Sequence, residues 1–240
     1  MTDPRRAIWA VGVVIPARNE AASIERCIAS VLASCEASPG CDEVWLTVVA
    51  DCCTDGTAAL ARRYLSTRGE VIESSAGSPG TARRRGVSAV LRHFADRNPR
   101  RLWLANTDAD TYVPPDWIGT HLHHADANAE AVAGIVQLDP EDLRADVKEL
   151  YARTYTVSPD GTHGHVHGAN FGVRADAYLE AGGWSDVAVS EDHCLWGRLR
   201  LQGRRMLSPA ASVVHTSGRL RGRAIGGFAD TLRRQLAANE

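Results

Sequence analysis

The stretch Asn106-Thr107-Asp108-Ala109-Asp110 decides which fold this chain is expected to adopt. It follows an apolar run and precedes a loop with two prolines, which predicts a buried strand that delivers two carboxylates into a loop. Side chains two positions apart in a strand share a face, so we expect Asp108 and Asp110 on one side. Paired carboxylates suit Mg²⁺ or Mn²⁺, which keep coordination sites open for phosphate oxygens. The alternative is a solvated strand end with turn-forming aspartates.

Strand-like and helix-like segments alternate on both sides of this stretch. Strands are predicted at residues 8–15, 44–50, 71–72, 101–105 and 131–138, and helices at 20–34, 54–65, 80–94 and 116–127. Such alternation predicts a largely parallel sheet with helices on both faces. Right-handed crossovers then bring the loops after the strands to one edge of the sheet, where ligands bind.

The pattern beyond residue 138 is less regular. Helices are predicted at residues 141–155, 174–181 and 191–202 and near the C-terminus, and short strands at 168–173, 205–207 and 212–215. The sequence contains no internal repeat, low-complexity tract or obvious linker. A single domain is therefore expected.

Composition excludes several classes of protein. The 240 residues, 44% of them apolar, are enough for a sizeable core. The net charge of -2 argues against a nucleic-acid partner. Because the sequence has no run of about 18 apolar residues and no recognisable secretory signal, we expect no membrane span and a cytoplasmic location. The six cysteines lack zinc-site spacings and are expected to be free thiols, with a Cys35–Cys41 bridge as the alternative.

The first loop at the predicted sheet edge is Pro16-Ala17-Arg18-Asn19-Glu20. It follows the first strand directly and leads into a helix. Arg18 can contact a phosphate or a base, and the free amides at the helix start can bind an anion. The alternative is that Asn19 simply caps the helix.

Two further loops carry polar residues at the same edge. Asp51 ends the second strand and can accept hydrogen bonds from a nucleobase or ribose, the alternative being a solvated carboxylate. The Gly-rich segment 77–86 lets the backbone approach a ligand closely, and one arginine of its Arg83-Arg84-Arg85 run can face a phosphate. The alternative for this run is a solvated helix face.

Two later features complete the set of candidate residues. Glu191 and Asp192 open a helix, where a carboxylate can deprotonate an acceptor hydroxyl. The alternative is that these acids stabilise the helix N-terminus. His215 ends a short strand and can complete a metal site with Asp110, the alternative being a structural imidazole.

The ordered set of motifs resembles the inverting family 2 glycosyltransferases with the GT-A fold. The resemblance covers about residues 10–215 and rests on residues 13–20, 49–57, 80–83, 106–110, 168–171, 182–184 and 191–192. It implies a single Rossmann-like α/β domain over residues 1–240, with a mostly parallel mixed central sheet flanked by helices. Residues of about 8–138 would bind the nucleotide sugar. Residues of about 139–240 would bind the acceptor and form the C-terminal tail.

The resemblance also implies roles for individual residues. The implied nucleotide-sugar-binding residues are Pro16, Ala17, Arg18, Glu20, Asp51, Arg83 and Asp108. Mn²⁺ or Mg²⁺ would be held by Asp110 and His215. The implied catalytic base is Asp192 or Glu191, and Gly168, Ala169 and Asn170 would shape the acceptor side.

The expected reaction is transfer of a sugar, with inversion, from a nucleoside-diphosphate sugar to an acceptor hydroxyl. UDP is the favoured nucleotide. The acceptor would be a small molecule, a glycan or a lipid head group, and a head group would place the protein at the inner membrane surface. Cys52 and Cys53 interrupt the family's usual second loop and leave the base and sugar open.

Two other functions share many of these features: a nucleotidyltransferase and a non-catalytic nucleotide-sugar-binding protein of the same fold. A nucleotidyltransferase would have a Gly-rich basic loop after the first strand, where this chain has Pro-Ala-Arg-Asn-Glu. Residues 217–223 form a candidate lid over the diphosphate, with a basic surface turn as the alternative. His163, His165 and His167 are candidate metal ligands, with a solvated loop as the alternative.

Overall fold

The computed structural model describes residues 8–139, 156–187 and 189–219. The strands are β1 (Trp9–Ala17), β2 (Cys41–Asp51), β3 (Gly69–Ser74), β4 (Leu102–Asn106), β5 (Thr111–Tyr112), β6 (Ala131–Ala133), β7 (Ile135–Leu138), β8 (Phe171–Arg174), β9 (Met206–Leu207) and β10 (Val213–Thr216). The helices are α1 (Ile24–Glu36), α2 (Thr57–Leu65), α3 (Pro79–His93), α4 (Trp117–Asp126), α5 (Ala175–Glu180) and α6 (Glu191–Leu201). The helix predicted at residues 141–155, the C-terminal helix and the lid residues beyond 219 lie outside the described part.

The main sheet has seven strands in the order β3-β2-β1-β4-β8-β6-β9. The pairs β1–β2, β2–β3, β1–β4 and β6–β9 are parallel, and β8 runs antiparallel to both of its neighbours. The expected mixed, mostly parallel sheet is therefore confirmed. The chain moves outward from β1 to β3 and then returns to the other side of β1 as β4. This reversal opens a crevice at the carboxyl ends of β1 and β4, where open α/β sheets bind ligands.

Helices cover both faces of this sheet. One buried cluster joins β1 and β2 to α1, α2 and α4, and it includes Ile28, Leu46 and Trp103. A second cluster packs α3, α5 and α6 against the other face and includes Val14 and Phe171. The β-strands thus bury both faces, which explains why they appear in the sequence as continuous apolar runs rather than alternating patterns.

A second sheet of three strands, in the order β5-β10-β7, supports the site. The single strand expected at residues 131–138 is in fact two strands, because the chain leaves the main sheet at Gly134 and enters the small one. A Cβ atom at Gly134 would lie 2.2 Å from Asn170 Nδ2 and 2.5 Å from the Ser212 carbonyl oxygen. Only glycine therefore allows this close crossing.

Two other expectations needed correction, and one strand was not expected. Residues 168–170 form a 3₁₀ turn before β8 rather than the start of the strand. The helix expected from residue 20 begins at Ile24, because the intervening residues form a turn in which Ser23 N and Ile24 N both donate to the Glu20 carbonyl oxygen. The two-residue strand β5 was not expected, since a strand this short leaves no periodic signal.

All six cysteines are free thiols, as expected. Within the described ranges, no helix is both long and apolar enough to cross a bilayer.

Candidate active site

The Asp108–Asp110 loop leaves the sheet at the crevice between β1 and β4. Thr107 N donates to the Val14 carbonyl oxygen at 3.3 Å, which holds the loop beside the first strand. The Cys27 thiol of α1 donates to the Asp108 carbonyl oxygen at 3.3 Å. The loop that carries both carboxylates therefore follows β4 directly, as predicted, but β4 ends at Asn106, so strand alternation does not set the directions of Asp108 and Asp110.

Arg83 of α3 links this loop to the start of α6. Its Nη2 atom donates to Asp108 Oδ1 at 2.5 Å, and its Nη1 atom donates to Glu191 Oε1. The side chain is only 4% exposed, and its Cζ atom lies 5.5 Å from the centroid of the Trp184 ring. Burial raises the pKa of both Asp108 and Glu191, and the guanidinium opposes that rise. Arg83 therefore counteracts part of the effect of burial on these two carboxylates and holds them side by side.

Asp110 lies two residues further along the same loop and has different partners. Its carboxylate is 15% exposed, and burial raises its pKa to about 6 against the opposing charge of Arg219. The Arg219 Nη2 atom lies 2.9 Å from Asp110 Oδ2, and Thr216 Oγ1 donates to Asp110 Oδ1 at 3.4 Å. The same guanidinium makes two hydrogen bonds to the Glu20 carboxylate, at 2.9 and 2.6 Å. Asp110 is thus a buried anion whose positive partner comes from the segment after β10.

His215 is placed differently from the expected metal ligand. β10 pairs with β5 so that His215 lies opposite Tyr112 and Thr216 opposite Thr111. Successive side chains of a strand point to opposite faces, so Thr216 faces Asp110 while the His215 ring stacks on Tyr112 at 5.0 Å. His215 Nδ1 is buried and has no hydrogen-bond partner among the described residues. A metal site shared by His215 and Asp110 stays a prediction, and it would require β10 or its flanking segment to rearrange.

The two candidate bases occupy different environments. The Glu191 side chain is 9% exposed and forms an ion pair with Arg83. Asp192 is half-buried, and its Oδ2 atom accepts a hydrogen bond from Gly168 N at 2.9 Å. Its Oδ1 atom accepts one from His193 N at 2.7 Å. Two backbone amides therefore orient the Asp192 carboxylate at the edge of the crevice, and no cation of the described residues forms an ion pair with it.

The first two loops pack against each other. Asn19 Oδ1 accepts from Thr54 N at 2.7 Å, and Thr57 Oγ1 accepts from Glu20 N at 2.7 Å. Arg18 is exposed at the rim, whereas Glu20 is buried beneath it. Asn19 does not cap α1, whose N-cap is Ser23. It instead joins the first loop to the second.

Asp51 is buried at the end of β2. Its Oδ1 atom accepts a hydrogen bond from Ala76 N at 2.8 Å, so it also organises the chain between β3 and α3. Pro16 is half-buried and Ala17 packs into the core, so Ala17 can reach a ligand only through its backbone. Nucleotide contacts by these residues stay predictions.

The expected acceptor-side residues are largely structural. Asn170 is fully buried, and its Nδ2 atom donates to the carbonyl oxygens of Ile135 and Ser212 at 2.9 and 3.1 Å. Its Oδ1 atom accepts from Trp117 Nε1 at 2.9 Å. Its side chain therefore ties the small sheet to α4 and is not placed to touch an acceptor. Ala169 is also in the core.

Gly168 is the exception within this turn. A Cβ atom on Gly168 would lie 2.6 Å from Arg83 Cζ. Only a glycine at this position therefore leaves room for the buried Arg83 guanidinium. The Gly168 N–H also orients Asp192. Gly168 therefore contributes to the site through its backbone and through its lack of a side chain.

The histidine loop is more buried than the solvated alternative implied. The His163 and His165 rings are 6.1 Å apart, and the His165 and His167 rings stack at 5.9 Å. Burial lowers the pKa of His167 to about 4. Across the three described ranges, no group of three or more His, Cys, Asp or Glu side chains is arranged to hold a metal ion. The candidate metal site at these three histidines is therefore not supported by the described residues.

The absence of a group of three such side chains among the described residues also limits how the Asp108–Asp110 loop could hold a metal ion. The donor set fits Mg²⁺ or Mn²⁺ in chemistry, since Asp110 offers hard carboxylate oxygens and is a buried anion that requires a positive partner. The remaining coordination positions would have to be filled by the diphosphate of a ligand and by water. The protein residues thus suit an ion that arrives with its nucleotide rather than a permanently caged one.

Three of the five non-glycine residues with positive φ in the described part of the chain lie in loops around the crevice. Asn19, Cys52 and Ser190 have φ values of 55°, 52° and 62°, in the left-handed region that non-glycine residues rarely adopt. Each lies in a loop that carries a candidate site residue. Such strain persists where surrounding contacts hold the backbone in place, and it often accompanies a functional site.

Sequence patterns alone did not identify Thr216 as a site residue; its only signal was its position just after a strand-ending histidine. Arg219 was expected only as part of the candidate lid at residues 217–223, and not as the partner of Glu20 and Asp110. Arg83 was expected to contact the ligand, whereas the structure shows it binding two acidic residues of the site.

Comparisons with known proteins agree with this geometry. A sequence profile of "Glycosyl transferase family 2" matches residues 12–181. The succinoglycan biosynthesis protein ExoO of Rhizobium meliloti (strain 1021) is 32% identical over 139 residues, which are 56% of this chain and 36% of ExoO.

Two solved structures share the fold. The mannosyltransferase PcManGT from Pyrobaculum calidifontis, in complex with GDP-Man and Mn²⁺, superposes with a TM-score of 0.62 at 19% identity, over 98% of this chain and 65% of that one. S. aureus TarS 1–349 gives a TM-score of 0.62 at 14% identity, over 95% of this chain and 64% of that one. This chain thus spans about a third of ExoO and just under two thirds of the two solved chains.

The profile match covers most of the chain, and it includes the β1 loop, the Asp108–Asp110 loop and Arg83. The fold is that of the GT-A glycosyltransferases. The chain belongs to glycosyl transferase family 2.

Proposed function

We propose that this protein transfers a sugar from a nucleoside-diphosphate sugar to an acceptor hydroxyl, in a reaction that depends on a divalent cation at Asp110. The observation that carries the proposal is the Arg83 bridge. It sets the Asp108–Asp110 loop, which would face the donor, directly beside the first turn of α6, which would face the acceptor. One crevice thereby holds both an anionic loop suited to a metal-bound diphosphate and an oriented carboxylate.

Asp192 is the proposed catalytic base. A base must reach the acceptor hydroxyl, and Asp192 is half-buried with its carboxylate held by the Gly168 and His193 amides. Glu191 is bound to Arg83 and nearly inaccessible, so we assign it a positioning role. Deprotonation by Asp192 would prepare the hydroxyl for attack on the anomeric carbon from the face opposite the leaving group. A single displacement of this kind would invert the anomeric configuration.

Stabilisation of the leaving group completes the mechanism. Mn²⁺ or Mg²⁺, when bound, supplies the positive charge that favours departure of the nucleoside diphosphate. Asp110 would hold the ion, and Asp108 would orient the ribose or the sugar under the control of Arg83. Support for a sugar-nucleotide donor comes from the neighbours of the same fold, which were solved with GDP-Man and Mn²⁺ and with UDP.

The first test is ligand binding. UDP-, GDP- and dTDP-sugars, each with and without Mn²⁺, are compared by thermal denaturation, since a ligand of the folded state raises the melting temperature. We expect one nucleotide class to stabilise the protein only when Mn²⁺ is present. No stabilisation by any member of the panel would contradict the proposal.

The second test separates catalysis from binding. Asp192→Asn is expected to keep donor affinity and to lose about 10²- to 10⁴-fold in turnover, the usual contribution of a general base. Asp42→Asn, at an exposed ion pair with Arg97, is the matched control and should behave like the unaltered protein. Release of nucleoside diphosphate distinguishes a glycosyltransferase from a nucleotidyltransferase, which releases pyrophosphate. Equal turnover in the two variants would exclude Asp192 as the base.

A further inference from the structure

Arg219 occupies the position between the two acidic loops at the donor side. Its guanidinium donates from Nη1 and Nη2 to the two Glu20 carboxylate oxygens, at 2.9 and 2.6 Å. Its Nη2 atom is also 2.9 Å from Asp110 Oδ2. The Arg219 side chain is 29% exposed, so water or a ligand can reach it from one side. One arginine thus bridges the first loop and the Asp108–Asp110 loop.

The segment that carries Arg219 is anchored to the same aspartate. Ser217 N donates to the Asp110 carbonyl oxygen at 3.1 Å. Thr216 Oγ1 accepts from Thr111 Oγ1 at 2.9 Å and donates to Asp110 Oδ1 at 3.4 Å. A change in the coordination of Asp110 would therefore be transmitted directly to this segment.

Charge balance explains why the arginine lies there. The carboxylates of Glu20 and Asp110 are largely buried, and buried anions require a positive partner. In the protein alone, Arg219 supplies that charge. A divalent cation held by Asp110 would compete with Arg219 for this carboxylate, because two cations in contact with the same anion repel each other.

We propose that Arg219 is an exchangeable cation of the donor site. A divalent ion that arrives with a nucleoside diphosphate displaces the Arg219 guanidinium from Asp110. The guanidinium N–H groups then donate hydrogen bonds to the diphosphate. Guanidinium suits this second role because its planar donors match phosphate oxygens in pairs. The inference rests on the proposed function, since it takes the same donor and the same ion.

The exchange predicts effects of opposite sign from a single substitution. In Arg219→Ala the competitor of the free ion is absent, so Mn²⁺ alone should bind severalfold more tightly than to the unaltered protein. The same variant has lost its contact with the diphosphate, so UDP or GDP in the presence of saturating Mn²⁺ should bind about tenfold or more weakly, as expected for a charge-assisted pair. A purely structural role for Arg219 would weaken both ligands or neither.

The experiment measures free Mn²⁺ by electron paramagnetic resonance and nucleotide binding by calorimetry, on the full chain. Arg219→Lys keeps the positive charge but not the paired donors, so its affinity for Mn²⁺ alone should stay near that of the unaltered protein while nucleotide binding stays weakened. Arg97→Ala, which removes an exposed pair with Glu43, is the control and should change neither value. Should Arg219→Ala fail to fold, Arg219→Gln gives the same comparison, with the removal of charge as the tested change.

The outcomes separate this inference from the function on which it rests. If the unaltered protein binds none of UDP, GDP and dTDP with Mn²⁺, the proposed function and the exchange are both overturned. If it binds one of them and Arg219→Ala binds Mn²⁺ and nucleotide with unchanged affinities, the exchange alone is overturned. Weaker binding of both Mn²⁺ and nucleotide to Arg219→Ala would likewise overturn the exchange.

Discussion

Replacing Arg83 by methionine should destabilise the folded protein more than any surface charge change. Arg83 is 4% exposed, and its partner Glu191 is 9% exposed, so removing the guanidinium leaves a buried carboxylate without its counter-charge. Methionine preserves most of the side-chain volume, so the effect reports on charge rather than on a cavity.

The magnitude follows from the two ion pairs that are broken. Loss of one partner from a buried pair costs about 3 to 5 kcal/mol. The Asp108 side chain is 38% exposed and is partly screened by water, so most of that cost is expected from Glu191. For a chain of this length, a loss of about 4 kcal/mol lowers the melting temperature by roughly 10 °C.

The assay is urea unfolding at pH 7, with Arg97→Met as the matched control. Arg97 pairs with Glu43 and Asp42 at the surface, where such a change costs about 0 to 1 kcal/mol. Adding Glu191→Met to Arg83→Met removes the stranded carboxylate and should recover about 2 kcal/mol or more.

Two results would refute the reasoning. The first is a loss of under about 1 kcal/mol in Arg83→Met, which would mean that Glu191 is solvated or protonated without its partner. The second is additivity of the Arg83→Met and Glu191→Met effects to within about 0.5 kcal/mol, which would show that the two side chains are not coupled.

Two further predictions concern the core and the turn beside Arg83. Burial lowers the pKa of His121 from 6.5 to about 4, so below pH 6.5 the unfolded chain binds a proton that the folded chain does not. The stability that neutral His121 contributes is complete above pH 6.5 and falls as the pH drops toward 4, with about 2 kcal/mol lost by pH 5. In urea unfolding, His121→Gln should lack this pH dependence. A variant with the same pH dependence as the unaltered protein would contradict the assignment. Gly168→Ala, whose Cβ would meet Arg83, should cost about 1 to 3 kcal/mol and lower turnover, whereas Gly164→Ala, which meets open space, should change neither in parallel unfolding and transfer assays.

Local patterns in the sequence were sufficient for the architecture of the first half. Apolar runs and helical spacing predicted β1, β2, β4 and α1 to α4, because those signals lie within windows of about 10 to 15 residues. The carboxylates after β4 and at the start of α6 were also evident, since each motif is contiguous. The prediction of a single strand at residues 131–138 was wrong, because the chain passes from one sheet to the other at Gly134. Such a crossing leaves the periodicity of apolar residues unchanged.

The sequence by itself determined the alternating α/β order and the acidic residues that gather at the sheet edge. Only the tertiary structure decided how those residues are paired. Arg83 reaches Glu191 across 108 positions, and Arg219 reaches Glu20 across 199. The β5–β10 register likewise decided that Thr216, and not His215, faces Asp110. Contacts of this kind depend on strand order and register, which arise when the whole chain packs and are absent from any short window of sequence.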